Sequence, residues 1–363
     1  MSSQVARLND FGQSPWYDNI TRTLVREGGL EALVRDDGIR GVTSNPTIFE
    51  KAIAGGEGYD DAIAAAKAAG DSVEQTFWDL AVDDIGAGAD ILRPIYDRLH
   101  GADGYISIEV SPLLAHDTEA TVAQAAELFA RLNRPNIMIK IPATPEGIPA
   151  ITRTIAAGIN VNVTLIFSLV RYAEVVEAYQ SGLEQLAATG GDLSRVHSVA
   201  SFFVSRVDTE ADPRLPDDSP LRGQAAVANA KLAYEQYRSR FSGPRWDVLA
   251  AAGGNLQRPL WASTSTKNRA YSPTLYVETL IGPDTVNTLA PGSIDSLHAP
   301  GVDLRADTVT EGVEAAHQFM ADLEAAGVSF ADVTATIERE GVASFAKSYT
   351  DLLATLETRA AAL

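Results

Sequence analysis

The sequence predicts an α/β chain folded as a (β/α)8 TIM barrel with additional C-terminal helices, and three observations carry that expectation. Short apolar runs alternate with longer stretches of helical periodicity, the pattern of a mostly parallel sheet. Eight such runs qualify as strands, the number a closed barrel needs. No glycine-rich phosphate fingerprint follows an early run, which weakens the open doubly wound sheet that would give the same alternation.

In chain order the expected strands cover residues 14–17, 38–43, 104–110, 136–141, 160–167, 196–204, 260–264 and 285–289. Helical periodicity fills stretches between them, at 118–132, 169–188 and 224–241. The polar segment 208–223 reads as an exposed loop and not as a domain boundary. After the eighth run, 307–363 reads as helices, with 309–326 and 330–341 strongly periodic. These are expected to pack on the barrel as an extension, leaving 1–363 as one domain.

Composition narrows the function classes. A chain of 363 residues, 45% hydrophobic, can bury a substantial core. No window approaches the roughly 20 apolar residues of a membrane helix, and residues 1–10 lack the basic and apolar regions of a secretory signal. The absence of cysteine excludes disulfides, thiolate metal sites and cysteine nucleophiles. The five histidines (His100, His116, His197, His298, His317) are scattered, with no paired metal-ligand spacing. A cytoplasmic protein, monomer or homodimer, without metal or cofactor is expected. The formal charge of −19 argues against a nucleic-acid partner. It leaves small phosphorylated substrates open, since a few cations inside a cleft can hold a phosphate.

The fourth run, NIMIKIPAT at 136–144, sets a lysine among apolar neighbours. Ile137, Ile139 and Ile141 share one face, and Met138 and Lys140 the other. If the isoleucines meet the helices, Lys140 projects into the barrel. Burial favours the neutral amine, which can attack a ketone and form an iminium able to act as an electron sink. The plain alternative is a strand-end lysine snorkelling to solvent. The turn PATPEG that follows places Lys140 near the strand's C-terminal end, where barrel active sites are built.

Polar residues recur at the same end of other runs: Asp18, Asn45, Glu109, Asn162, Thr164, Ser201, Arg206, Ser265 and Lys267. Alternation puts Asn160, Asn162 and Thr164 on one face of the fifth run. Three such side chains in a dry core would be unsatisfied, so a wet interior is expected there. Ser107 and Glu109 read the same way. Each has a duller role: Asp18 as a helix cap, Asn45-Pro46 as a turn, Glu109 in a structural ion pair, Arg206 holding the acidic loop. Their recurrence at one end of successive strands favours a site.

At these residues the chain resembles the transaldolases, in their longer bacterial subfamily. The likeness rests chiefly on GVTSNPTIF at 41–49 and IMIKIPATPEG at 137–147, with NVTLIFS at 162–168, SFFVSR at 201–206 and STSTKN at 263–268 in the expected order. It spans roughly residues 10–291. The resemblance implies transfer of a dihydroxyacetone unit from sedoheptulose 7-phosphate to glyceraldehyde 3-phosphate, within the pentose phosphate pathway. It implies Lys140 as the Schiff-base residue, Asp18 as general acid/base, and Glu109 with Thr164 positioning water. Asn45, Asn162 and Ser201 would bind hydroxyls, and Arg206, Ser265 and Lys267 the phosphate. Where many transaldolases carry a second arginine this chain has Lys267, with Arg269 a candidate substitute. Two rivals stand beside this reading: a Schiff-base aldolase that releases free dihydroxyacetone, and a barrel that binds sugar phosphates without catalysis.

Overall fold

The computed structural model describes residues 3–56 and 58–363. Residues 1, 2 and 57 lie outside the described residues, so the reading of residues 1–10 and the domain span 1–363 each extend beyond them.

Eight parallel strands close into a barrel in the order β1 to β8. They are β1 (Gln13–Tyr17), β2 (Gly41–Val42), β3 (Ile106–Glu109), β4 (Ile137–Pro142), β5 (Val161–Ile166), β6 (Ser198–Phe203), β7 (Gln257–Ala262) and β8 (Thr285–Leu289). The ring is completed by β1 pairing with β8, Gln13 opposite Thr285 through Tyr17 opposite Leu289. Strand residues are buried almost throughout because helices cover the outside and side chains fill the inside.

Seven strands depart from the expected bounds, β1, β3, β4 and β6 by one or two residues at an end, and the backbone explains three of the departures. β2 contracts to two residues, since Gly38 takes a left-handed φ of 64° and only Val42 is in register with β3. β7 begins at Gln257, ahead of the expected 260, and stops at Ala262 because Ser263 turns to a φ of 57°. β5 loses simple alternation at Leu165, whose φ of 60° accompanies a register shift against β6 between Val163 and Ile166. β8 falls on the expected residues.

The barrel floor is pinned beneath the first strand. Trp16 Nε1 donates to Asp103 Oδ1 at 2.9 Å, and Ser14 Oγ donates to Asp103 Oδ2 at 2.5 Å. Only glycine fits at 41, where a Cβ would meet the Trp16 indole at 2.4 Å. This packing fixes β1, and Asp18 follows it directly.

The C-terminal segment forms the helices Val313–Ala325 and Phe330–Ala362. The second is 33 residues long, and Val333, Ile337, Phe345, Tyr349, Leu352 and Leu356 keep one helical face buried. Full burial of each such side chain is worth about 1.5–3 kcal/mol, which holds the helix down. Gly341 lies on the same face, where a Cβ would come within 3.2 Å of Leu165 and 3.3 Å of the Arg206 guanidinium. The missing side chain lets the helix settle over the strand ends of β5 and β6. Arg359 anchors its far end on the carbonyl of Ile53 and the carboxylate of Asp60. Among the described residues no helix is long and apolar enough to cross a membrane.

Candidate active site

A cavity of about 250 Å³ opens where the C-terminal ends of the strands converge. Asp18, Thr43, Asn45, Lys140, Thr164, Ser201, Arg206, Ser265 and Lys267 line it, so most of the sequence candidates meet in one place. Phe203, and Phe345 from the terminal helix, close its sides.

Lys140 is buried, with 4% of its surface exposed, and projects inward as the alternation of β4 requires. Its Nζ donates to the Ser44 carbonyl at 3.1 Å and stands 3.3 Å from Glu109 Oε2. Glu109 is its cross-strand neighbour in β3. Burial raises the proton affinity of Glu109, the Lys140 charge lowers it, and Asp18 raises it slightly; the net direction is up. The contact with Lys140 is ionic, and Glu109 Oε2 has no hydrogen-bond partner among the described residues.

Thr164 Oγ1 is a second buried atom without a hydrogen-bond partner among the described residues. It belongs to the irregular stretch of β5, beside the left-handed Leu165. Bulges and strained residues of this kind gather at sites, where they re-aim a side chain. Leaving a buried hydroxyl unpaired costs about 1–3 kcal/mol, so Thr164 Oγ1, on the cavity wall with Lys140, is poised to take a polar group entering there, while Glu109 stands behind the wall in its ion pair with Lys140.

Two residues that alternation puts on the same face as Thr164, Asn160 and Asn162, do not line the cavity. Asn160 lies at the N-terminal end of the barrel, donating to the carbonyls of Pro135 and Ile137 and accepting from His197 N–H. It is a staple between strands, and the wet interior expected around it is not needed. Asn162, opposite Lys140 in register, lies beneath the cavity wall. Its amide donates to Ser107 Oγ at 3.0 Å and accepts from Ser201 Oγ at 2.7 Å. That network orients Ser201, which does reach the wall.

Asp18 Oδ1 accepts from Thr43 Oγ1 at 2.7 Å, and its backbone N–H bonds to the Leu289 carbonyl. It caps no helix: the next one begins at Arg22 and is capped by Thr21. Asn45 does serve as a cap. Its Oδ1 accepts from Ile48 N–H at 3.0 Å at the start of the helix Pro46–Gly55, while the residue also lines the cavity.

Arg206 and Lys267 supply positive charge opposite Asp18. Arg206 lies 5.3 Å from the Phe203 ring centre and 5.9 Å from that of Phe345, with no ion pair to a carboxylate among the described residues. It does not hold the acidic loop; Arg214 pairs with Glu210 and Asp332 there, and Arg222 with Asp217. Burial lowers the proton affinity of the Arg206 guanidinium. Lys267 is exposed, and its Nζ donates to Ser265 Oγ at 2.7 Å at the cavity mouth. Partial desolvation there, then the Arg206 charge, lower its proton affinity. Arg269 is exposed in the following turn and does not line the cavity, so Lys267 occupies the place considered for either.

Sequence reasoning missed Lys51, Phe345 and the Ser44 carbonyl. Lys51 had a visible signal, one turn beyond Thr47 on a helix that starts at a strand end. Phe345 had none, because it comes from a helix about 200 residues beyond Lys140.

The family described as Transaldolase/Fructose-6-phosphate aldolase matches residues 15–356. The chain is 50% identical over 357 residues to Transaldolase 1 of Streptomyces avermitilis, covering 97% of this chain and 94% of that protein. It is 49% identical over 358 residues to the transaldolase of Saccharopolyspora erythraea, covering 98% and 97%. The transaldolase of Thermobifida fusca is likewise 49% identical over 358 residues, covering 97% of each. A barrel whose strand ends gather a buried lysine, carboxylates and two cations therefore has its relatives: the chain belongs to the transaldolase/fructose-6-phosphate aldolase family.

Proposed function

We propose that this enzyme is a transaldolase that carries a dihydroxyacetone unit on Lys140, from sedoheptulose 7-phosphate to glyceraldehyde 3-phosphate. The observation that carries the reading is the buried Lys140 amine, 3.3 Å from Glu109 and on the wall of the same cavity as Asp18, Arg206 and Lys267.

Lys140 attacks the ketose C2, and loss of water from the carbinolamine leaves an iminium. Glu109, whose proton affinity is raised by burial, takes the proton the ammonium must lose and returns it to the departing hydroxyl. Thr164 Oγ1 and Glu109 Oε2 hold the water formed and later consumed. Asp18 takes the proton from the C4 hydroxyl, the C3–C4 electron pair flows into the iminium, and erythrose 4-phosphate leaves. The remaining enamine attacks the aldehyde carbon of glyceraldehyde 3-phosphate while Asp18 returns its proton to the new hydroxyl. Hydrolysis of the imine releases fructose 6-phosphate. Asn45 and Ser201 bind hydroxyls, with Asn162 orienting Ser201, and Arg206, Ser265 and Lys267 bind phosphate.

The reaction belongs to the non-oxidative pentose phosphate pathway, and a cytoplasmic enzyme, monomeric or homodimeric, follows from the same reading. One buried cluster runs from Val5 to Leu356, which supports a single domain with the C-terminal helices as part of it.

The test is acceptor dependence. With sedoheptulose 7-phosphate alone, erythrose 4-phosphate forms in a single stoichiometric burst; adding glyceraldehyde 3-phosphate gives sustained turnover. Sustained release of free dihydroxyacetone without acceptor assigns the aldolase instead, and binding of both sugars without any product assigns a non-catalytic barrel.

A further inference from the structure

The phosphate end of the cavity holds a cation that the strand-end pattern does not account for. Lys51 lies in the helix Pro46–Gly55, four residues after Thr47 and three after Ile48, and all three line the cavity. Helical spacing puts them on one face, so the side chain overhangs the mouth. Lys51 also lines an adjoining cavity of about 460 Å³ with Asp18, Thr21 and Pro291, which places it on the partition between the two. Among the described residues no carboxylate lies within ion-pair distance of its ammonium, in a chain whose formal charge is −19.

We propose that Lys51 is a specificity-determining residue for phosphorylated substrates, forming with Arg206 and Lys267 a three-cation rim that draws a phosphate dianion to the mouth. The inference rests on the reaction proposed above and extends its phosphate site. The three cations belong to three separate segments, the helix after β2, the helix Ser205–Ala211 after β6 and the loop after β7, so they surround the opening. Desolvation and then Arg206 lower the proton affinity of Lys267, Asp18 raises it and Lys51 lowers it, so Arg206, Asp18 and Lys51 all lie within electrostatic reach of Lys267. Three cations facing the carboxylate of Asp18 leave an excess of positive charge around the mouth, a cost that a bound dianion removes. Lysine at 267 cannot offer the bidentate fork of an arginine, and a third point charge compensates through field instead of geometry.

The exposed position makes Lys51→Ala, Lys51→Arg and Lys51→Glu compatible with folding, which melting curves check. KM is measured for glyceraldehyde 3-phosphate and for unphosphorylated glyceraldehyde as acceptors. Lys51→Ala raises the first by about fivefold and the second by less than about twofold, Lys51→Glu raises the first further, and Lys51→Arg restores it. The gap narrows at high salt as the field is screened. Equal changes for both acceptors, or no change for either, overturn the proposal. Calorimetric titration with inorganic phosphate separates this from a failure of the proposed reaction. Weaker phosphate binding by Lys51→Ala upholds the rim even if no turnover is seen, and unchanged binding overturns it.

Discussion

Glu109 and Lys140 face each other across adjacent parallel strands, with Glu109 Oε2 3.3 Å from Lys140 Nζ and both side chains almost wholly buried. A buried ion pair is weak support for stability, because desolvating two charges offsets most of their attraction. Its value lies in the proton the pair shares.

Replacing Glu109 with Gln keeps the shape and removes the base. The expected loss in kcat is about 10²–10⁴-fold, with KM changed far less. Burial raises the proton affinity of Glu109, so wild-type activity falls on the acid side as the carboxylate protonates, above the usual carboxylate range. Glu109→Gln loses that limb, and steady-state rates between pH 5 and 8 record both effects.

Thr164→Val tests the other unpartnered atom. Its Oγ1 has no partner among the described residues to lose, so removing it leaves stability within about 1 kcal/mol of wild type or above it. Activity falls by about tenfold or more if the hydroxyl holds water at the imine. Urea unfolding beside turnover separates the two; a large loss of stability would assign Thr164 to packing.

Asp208 makes a prediction about stability and pH. It accepts from Ala226 N–H and Tyr276 Oη, yet burial pushes its carboxyl from the ordinary 3.8 up to about 6. The folded state then holds its proton more tightly than the unfolded chain. The contribution is complete below about pH 4 and is lost as pH rises through 6, on the order of 3 kcal/mol. The stability of wild type relative to Asp208→Asn therefore falls by that amount between pH 4 and 7, measured by urea unfolding at each pH. A constant difference would contradict it.

Much of this was legible in the sequence because strand-end residues are fixed by local pattern. Lys140 alternates with three isoleucines, and that spacing alone puts its amine inside once the helices claim the other face. β8 was only faintly marked in the sequence, yet it falls on the expected Thr285–Leu289. β7 was shifted because Gln257 and Arg258 are polar and Pro259 lacks an N–H, which disguises a strand start. Asn160 misled, since alternation gives the face of a residue and not its height in the barrel. Lys51 and Phe345 depend on where helices come to rest, which packing at Gly341 and Arg359 decides over long sequence separations.

Carriage of the substrate on Lys140 is tested most directly by borohydride reduction in the presence of fructose 6-phosphate, followed by peptide mass analysis. A reduced three-carbon adduct is expected on the peptide holding Lys140 and is absent from Lys140→Ala. Inactivation without an adduct, or an adduct on another lysine, would contradict it.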